Sequence, residues 1–218
     1  NPSQGEASDI YVGDPDYNDF VNEQWRVGYE LEQEMDNGVT LRQNLRYSEV
    51  DADLEFSGIY AAGTGFGRYW GHYLENSENF SVDTYAEGHF STGAFDHTVV
   101  AGFDYTQSSY DAYYGGVGYV SAADTDAVDQ PYSNGQEMYQ YGVYVHDQLS
   151  SGPWTMFLSG RYDWVDMTTF DANQNGTDTS HNGFSGRVGL SYAFNTDLSV
   201  YANVSSSFVP TTGLVYDD

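Results

Sequence analysis

Trp154-Thr155-Met156-Phe157-Leu158-Ser159-Gly160-Arg161-Tyr162-Asp163-Trp164 is the stretch that decides the fold. Taken alternately, one set reads Trp154, Met156, Leu158, Gly160, Tyr162, Trp164. The other reads Thr155, Phe157, Ser159, Arg161, Asp163. Period two is the signature of a strand, whose successive side chains point to opposite faces. One face is apolar with an aromatic at each end; the other carries charge. A strand crossing a bilayer needs about 9–11 residues, with aromatic residues at both interfaces. This stretch fits that description, with lipid on one face and water or polar filling on the other.

The same pattern repeats outward in both directions. Strands are expected over 23–35, from 39 onward, then 80–91, 95–105, 137–149, 154–164, 183–194 and 198–209. Trp25, Val27, Tyr29 and Leu31 share one face of the first, and Phe184, Val188, Leu190, Tyr192 and Phe194 one face of the seventh. Short turns join them at 36–38, 92–94, 150–153 and 195–197. Asp36-Asn37-Gly38 is a strong hairpin signal, because Asn and Gly tolerate the positive φ that such turns require. Long polar links are expected at 53–78, 106–136 and 168–182. Residues 1–22 read as a loop arm, and 210–218 as the start of a further link. Short turns alternating strictly with long links are what a transmembrane barrel shows, short turns on one side of the membrane and long loops on the other. In lipid every backbone polar group must be paired, so such a sheet must close.

Composition narrows the partners. The chain has 218 residues, 33 Asp+Glu, 6 Lys+Arg and a net charge of −27. All six basic residues are arginines. Such a chain repels nucleic-acid phosphates and cannot hold an anionic surface through basic residues. Aromatic residues make up 17%, which with the ordered alternation argues against acidic disorder; adaptation to high salt is a second reading of the charge. With no cysteine, disulfide frameworks, thiol catalysis and Cys-based zinc sites are excluded. No apolar run reaches the length of a transmembrane helix, and no basic, apolar leader opens these residues.

Eight strands can close a small barrel. However, the expected inward set includes Arg26, Glu30, Glu32, Arg42, Arg46, Glu87, His89, Arg161, Asp163 and Arg187. That is either a packed ionic filling or the wall of a much wider lumen. The last residues lack the terminal aromatic typical of complete bacterial barrels, which favours the wider one.

Several runs carry a family resemblance. They include 27–32 (Val-Gly-Tyr-Glu-Leu-Glu), 41–47 (Leu-Arg-Gln-Asn-Leu-Arg-Tyr) and 79–84 (Asn-Phe-Ser-Val-Asp-Thr). Further ones are Asp96-His97-Thr98 with Gly102-Phe103-Asp104-Tyr105, then 142–148, 159–164 and 206–210. In order and in register, these runs resemble TonB-dependent ferric-siderophore receptors of the ferrichrome (hydroxamate) type, from about Trp25 to Pro210. The resemblance implies an all-β, antiparallel transmembrane barrel of 22 strands, of which this chain supplies about eight consecutive ones. It implies an outer-membrane location in a Gram-negative bacterium, contact with outer-membrane lipid, and a ferric hydroxamate siderophore as transported ligand with no cofactor. It also implies coupling to TonB through a plug domain that residues 1–218 do not contain. Two other readings stand beside it: a complete eight-stranded barrel with an anchor or adhesion role, and a secreted β-rich assembly built by edge-strand pairing.

Site candidates follow from the same resemblance. Tyr60 and Tyr114 fall near positions that contact the siderophore, with Tyr113 and Trp70 as neighbours that could share the role. Phenols suit a compact polar chelate, offering an apolar face and a hydrogen-bonding tip; with 21 tyrosines in the chain, the plainer reading is interface packing. The inward arginines are expected to pair with wall or plug carboxylates, with attraction of an anionic ligand as the alternative. Asp171, Asn173, Asn175 and Asp178 space oxygen ligands like the start of a calcium loop with Gly176 at the turn, but Asn182 stands where the closing Glu belongs. The five histidines show no metal-ligand spacing. There is no nucleophile elbow, phosphate loop or catalytic carboxylate pair, so no enzyme is expected.

Overall fold

The computed structural model describes residues 13–62, 65–118 and 131–210. They form eight antiparallel strands: β1 (Asp19–Glu34), β2 (Thr40–Ala62), β3 (Gly65–Thr92), β4 (Phe95–Gly118), β5 (Tyr132–Ser151), β6 (Trp154–Phe170), β7 (Gly176–Ala193) and β8 (Ser199–Ser206). They make one sheet in chain order, each strand bonded to the next. Three of the four short turns carry a glycine at positive φ: Gly38 (80°), Gly93 (63°) and Gly152 (56°). The fourth is closed by Asn195, whose Oδ1 accepts from the amides of Asp197 and Leu198, both at 2.9 Å.

The sheet is an open arc with β1 and β8 as its edges. A self-contained eight-stranded barrel needs those two strands to pair, and they do not.

Register sorts the side chains into two faces. Arg42, Tyr85, Gly102, Tyr144 and Arg161 stand directly opposite one another across β2–β6, and they line the concave face. The next row, Leu41, Ala86, Ala101, Val145, Gly160 and Gly186, belongs to the convex face. This convex face is a mainly apolar band bounded by two aromatic belts and interrupted by the polar pairs Gln43–Thr84 and His97–Asp147, each at 2.8 Å. One belt joins Trp25 to Tyr47 (ring centroids 5.1 Å), Tyr105 to Tyr141 (5.0 Å) and Tyr162 to Trp164 (4.7 Å). The other, beside the short turns, joins Trp154 to Tyr192 (4.5 Å) and Tyr192 to Phe194 (4.7 Å). Amphipathic rings settle where one end is apolar and the other wet.

Within the described residues the expected long links are mostly strand; 119–130 of the second link, 1–12 of the arm and 211–218 of the last link lie outside them. β2 and β3 pair without interruption out to Ala62 and Gly65, and β4 and β5 out to Tyr113 and Tyr132 past one bulge. The reason lies in the alternation, which reverses beyond the band. On β2 the convex side chains become Glu49, Asp51, Asp53 and Glu55, while Val50, Ala52, Leu54 and Phe56 take the concave face. β6 does the same, with Asp166 outside and Val165 (1% exposed) and Met167 (5%) inside. Outside the membrane the wet face is the convex one, so a pattern sought with apolar side chains outward fades there. At the other end β8 stops at Ser206. The Phe208 amide donates to Ser185 Oγ (3.0 Å) and its ring lies over Gly183 on the concave side, rather than continuing the convex face of the last strand.

Candidate functional site

The concave face has two tiers. The lower one, level with the apolar band, is a charged network around Arg161. Its Nε donates to both oxygens of Asp163 (2.9 Å each) and its Nη2 to Asp163 Oδ1 (2.6 Å). Nη2 also donates to Asp104 Oδ1 (2.9 Å), and Nη1 to Asp104 Oδ2. Gln140 Nε2 reaches Asp163 Oδ1 at 3.0 Å, and Tyr144 donates its hydroxyl to Asp83 (2.8 Å). A Cβ at Gly142 would collide with the guanidinium, so glycine there is what lets Arg161 lie flat on the wall between two carboxylates. Arg42 repeats the arrangement on β2, paired with Glu32 (2.8 Å) and Glu87 (2.7 Å). The two guanidiniums also lie 5.9 and 5.8 Å from the Tyr85 and Tyr144 ring centroids. Arg42 and Arg161 pair with wall carboxylates, as the sequence leads one to expect, whereas among the described residues Arg26, Arg46 and Arg187 make no ion pair. Between them runs an open trough of about 1240 Å³ that also touches Arg46, Ser81, Thr106 and His146.

The upper tier is aromatic. Tyr60 and Tyr69 lie 6.4 Å apart, Tyr69 and Phe56 5.8 Å, Phe56 and Tyr73 5.4 Å, and Tyr73 and Tyr114 4.3 Å, the last two pairs stacked. The result is a continuous ring surface across β2, β3 and β4. Glycines alternate with the tyrosines and make room for them. Cβ atoms at Gly58, Gly67 and Gly71 would press on Tyr69, Tyr60 and Phe56 respectively at 2.6, 2.6 and 2.5 Å. At the foot of this surface Glu75 Oε1 accepts from the Tyr110 hydroxyl (3.0 Å). Burial, and then Glu75, raise the Tyr110 phenol above its ordinary value, so it stays a donor.

Of the four residues singled out from the sequence, Tyr60 and Tyr114 stand in this ring surface. Tyr113 and Trp70 lie on the opposite, convex face. Tyr113 meets Tyr132 edge-on at 5.5 Å. Trp70 is 2% exposed beneath the arm that precedes β1, its Nε1 donating to Asp14 Oδ2 (3.3 Å) while the Asp14 amide donates to Ser57 Oγ (2.5 Å). Tyr17 of the same arm is buried beside Glu55 and Asp53, and burial, then those carboxylates, push its phenol up. Sequence reasoning missed Phe56, Tyr69 and Tyr73. The reversed alternation on β2 and the Gly-x-Tyr-x-Gly-x-Tyr run at 67–73 were the signals that could have found them.

The 171–178 segment closes the β6–β7 hairpin. Asp171 Oδ1 accepts from the amides of Asn173 (2.8 Å) and Asn175 (2.9 Å), and the Asn175 side-chain amide reaches both oxygens (3.2 and 3.1 Å). Gln174 sits at φ 62°. Asp178 faces away and accepts from Thr168 (2.7 Å). Among the described residues no three His, Cys, Asp or Glu side chains gather as a metal would require. The Asn175 side chain, then the loop amides, hold the Asp171 carboxyl below its ordinary value. A depressed carboxyl stabilises the turn at neutral pH, and that contribution is lost as pH falls through the folded value. The Asn173 and Asn175 amides are therefore expected to lose protection, relative to the intrinsic exchange rate at each pH, as pH falls below about 4, and in Asp171→Ala to be unprotected at every pH; hydrogen exchange across pH 3–7, corrected for the intrinsic rate, measures both.

Three comparisons place this geometry. The whole chain, residues 1–218, matches the family model described as TonB dependent receptor-like, beta-barrel. It is 31% identical over 219 residues to the ferrioxamine B receptor of Salmonella typhimurium (strain SL1344), covering 94% of this chain and 31% of that protein. It is 29% identical over 234 residues to the ferrichrome outer membrane transporter/phage receptor of Escherichia coli (strain K12), covering 89% and 31%. The chain thus spans about a third of the length of these relatives. Among solved structures, the siderophore receptor PiuA from Acinetobacter baumannii superposes with a TM-score of 0.71 at 16% identity, over 88% of this chain and 33% of that one. The ferric-catecholate import receptor Fiu from E. coli K12, in its open form, gives 0.74 at 14%, over 89% and 37%; at these identities the likeness is one of fold. An open arc with a convex apolar band, a charged concave tier and sheet extended beyond the band is a length of such a barrel's wall, and the chain belongs to the TonB-dependent receptor β-barrel family of the Gram-negative outer membrane.

Proposed function

We propose that these strands are the ligand-facing wall of a receptor that takes up ferric siderophores of the hydroxamate type with energy from TonB. The observation that carries this reading is the ring surface Tyr60–Tyr69–Phe56–Tyr73–Tyr114 above the charged tier. A ferric tris-hydroxamate is a compact chelate with an apolar rim and carbonyl oxygens, and stacked phenols offer it flat contact area and hydroxyl donors. The names of the relatives, a ferrioxamine B receptor and a ferrichrome transporter, support the hydroxamate class. Tyr60 and Tyr114 are the contacts proposed first, with Tyr73 joining them; Tyr113 and Trp70, on the other face, have the packing role. TonB would be engaged through the plug domain that the family resemblance implies, outside residues 1–218.

Tyr73→Ala and Tyr114→Ala, made in the full-length receptor that carries this segment, are each expected to weaken binding of ferrioxamine B or ferrichrome about tenfold, the scale of losing a central aromatic contact. Tyr113→Ala should leave it within about twofold. Titration of chelate against intrinsic fluorescence reads the affinity, and radio-iron uptake the transport. Equal effects of Tyr113→Ala and Tyr114→Ala would remove the ring surface from the ligand path.

A further inference from the structure

The ring surface has one charge. On the concave face of β2 beyond Arg46, of β3 from Gly67 to Asn79 and of β4 from Thr106 to Gly116, every side chain is uncharged except Glu75. Its Oε1 is held by Tyr110 at 3.0 Å, and its Oε2 makes no hydrogen bond among the described residues. Glu75 is exposed on that face, two residues from Tyr73 along β3, and Tyr73 stacks on Tyr114. The guanidinium of these extensions, Arg68, is on the convex face over Trp70, 5.9 Å from its ring centroid. Behind the same sheet stand Asp51, Asp53, Glu55, Glu78 and Asp111, all convex. The charge on both sides of the wall is therefore negative.

Such a wall repels an anionic chelate and attracts a positive one. Ferric ion bound by three hydroxamates is neutral overall, three single negative charges against three positive. A chain-terminal amine makes the chelate a monocation at neutral pH. Three catecholates or polycarboxylates leave the complex anionic. A protonated amine beside Glu75 gains an ion pair at Oε2, and the faces of Tyr73 and Tyr114 are within the reach of the same group, where a cation–π contact adds to it.

Resting on the hydroxamate reading above, we infer that Glu75 selects the charge of the transported chelate, favouring ferric hydroxamates that carry a protonated amine over neutral ones and disfavouring anionic ones. Glu75 is a specificity-determining residue in this scheme, and the rings supply affinity common to all three.

The test holds the iron centre constant and varies only the tail. Ferrioxamine B (tail +1), its N-acetyl derivative (0) and its N-succinyl derivative (−1) are titrated against the full-length receptor carrying this segment. The expected order of affinity is cation, neutral, anion, each step about threefold to fivefold, the scale of an exposed ion pair. Glu75→Gln keeps an acceptor for Tyr110 and should bring the three affinities within about twofold of one another. Raising salt from low ionic strength to 0.5 M should shrink the wild-type spacing in the same way, because the carboxylate is exposed to screening ions (Debye length about 10 Å at 0.1 M and 3 Å at 1 M). A wild-type ratio that Glu75→Gln leaves unchanged overturns the charge assignment while the hydroxamate reading stands. Failure of all three chelates to bind the folded wild-type receptor overturns the hydroxamate reading, and the charge assignment with it.

Discussion

Arg161→Gln is expected to destabilise the receptor carrying this segment by about 3 kcal/mol, the scale of leaving a buried carboxylate without its partner. The sufferer is Asp163. Its side chain is 6% exposed, and in the native wall it receives Arg161 through two nitrogens and Gln140 through one. Asp104, 19% exposed, keeps more access to water. Glutamine cannot supply the charge or the fork of donors, so Asp163 must either stay ionised in a dry setting or take up a proton. Arg161→Gln combined with Asp163→Asn removes the guanidinium and the drier carboxylate and leaves only the part-exposed Asp104 without its partner, so most of the loss should return, because a buried pair contributes little net stability compared with a neutral replacement. Urea unfolding of the receptor in detergent micelles, followed by tryptophan fluorescence, measures both variants. A single-variant loss under about 1 kcal/mol, the range of a solvated surface pair, would show that the network is open to water and not part of what holds the wall.

Two adjacent residues should respond in opposite ways to the same substitution. Val145 stands in the convex row with Leu41, Ala86, Ala101 and Gly160; His146 lines the concave trough next to Tyr144. Val145→Arg puts a guanidinium into lipid near the middle of the span and should cost about 2–4 kcal/mol. His146→Arg enters a wet trough with Glu87 and Asp104 among its lining, and should change stability by less than about 1 kcal/mol. The same unfolding assay in liposomes compares them. Equal costs would mean that the two faces have been assigned to the wrong solvents.

The membrane-level wall was legible because lipid imposes one rule on every strand. Trp154, Leu158 and Trp164 face out and Arg161 and Asp163 face in, and the neighbouring strands follow the same alternation apart from the outward polar pairs Gln43–Thr84 and His97–Asp147. Turns were legible for a local reason: Gly38, Gly93 and Gly152 sit at positive φ, which glycine adopts without a steric penalty. What lay beyond the band was harder to read. There the apolar side chains change face, and a strand such as β2 keeps its period while reversing its sense between Tyr47 and Val50. The candidate site sits in that reversed region, so the family likeness pointed to Tyr60 and Tyr114 while Phe56, Tyr69 and Tyr73 went unnoticed. Trp70 shows the complementary limit. A tryptophan beside tyrosines invites a ligand role, yet its place under Asp14 depends on an arm 56 residues earlier in the chain, a contact that no local pattern encodes.

The uninterrupted β2–β3 pairing has a consequence for where solute is first met. From Tyr47, in the outer aromatic belt, to Tyr60 is a run of 13 strand residues, about 40 Å at 3.3 Å each, or roughly 30 Å of height at a barrel's usual tilt. The outermost ring, Tyr60, thus rides about one bilayer thickness above the lipid, and Tyr73 and Tyr114, level with Leu54, about half that. β1 flanks this hairpin as far as Glu55 and β4 as far as Tyr69, so only its last few residue pairs stand as a two-stranded tip, with close-packed rings on one side and the Asp14–Tyr17 arm on the other. In the uptake receptor proposed above, a diffusing chelate would reach this tip before it came near the membrane itself.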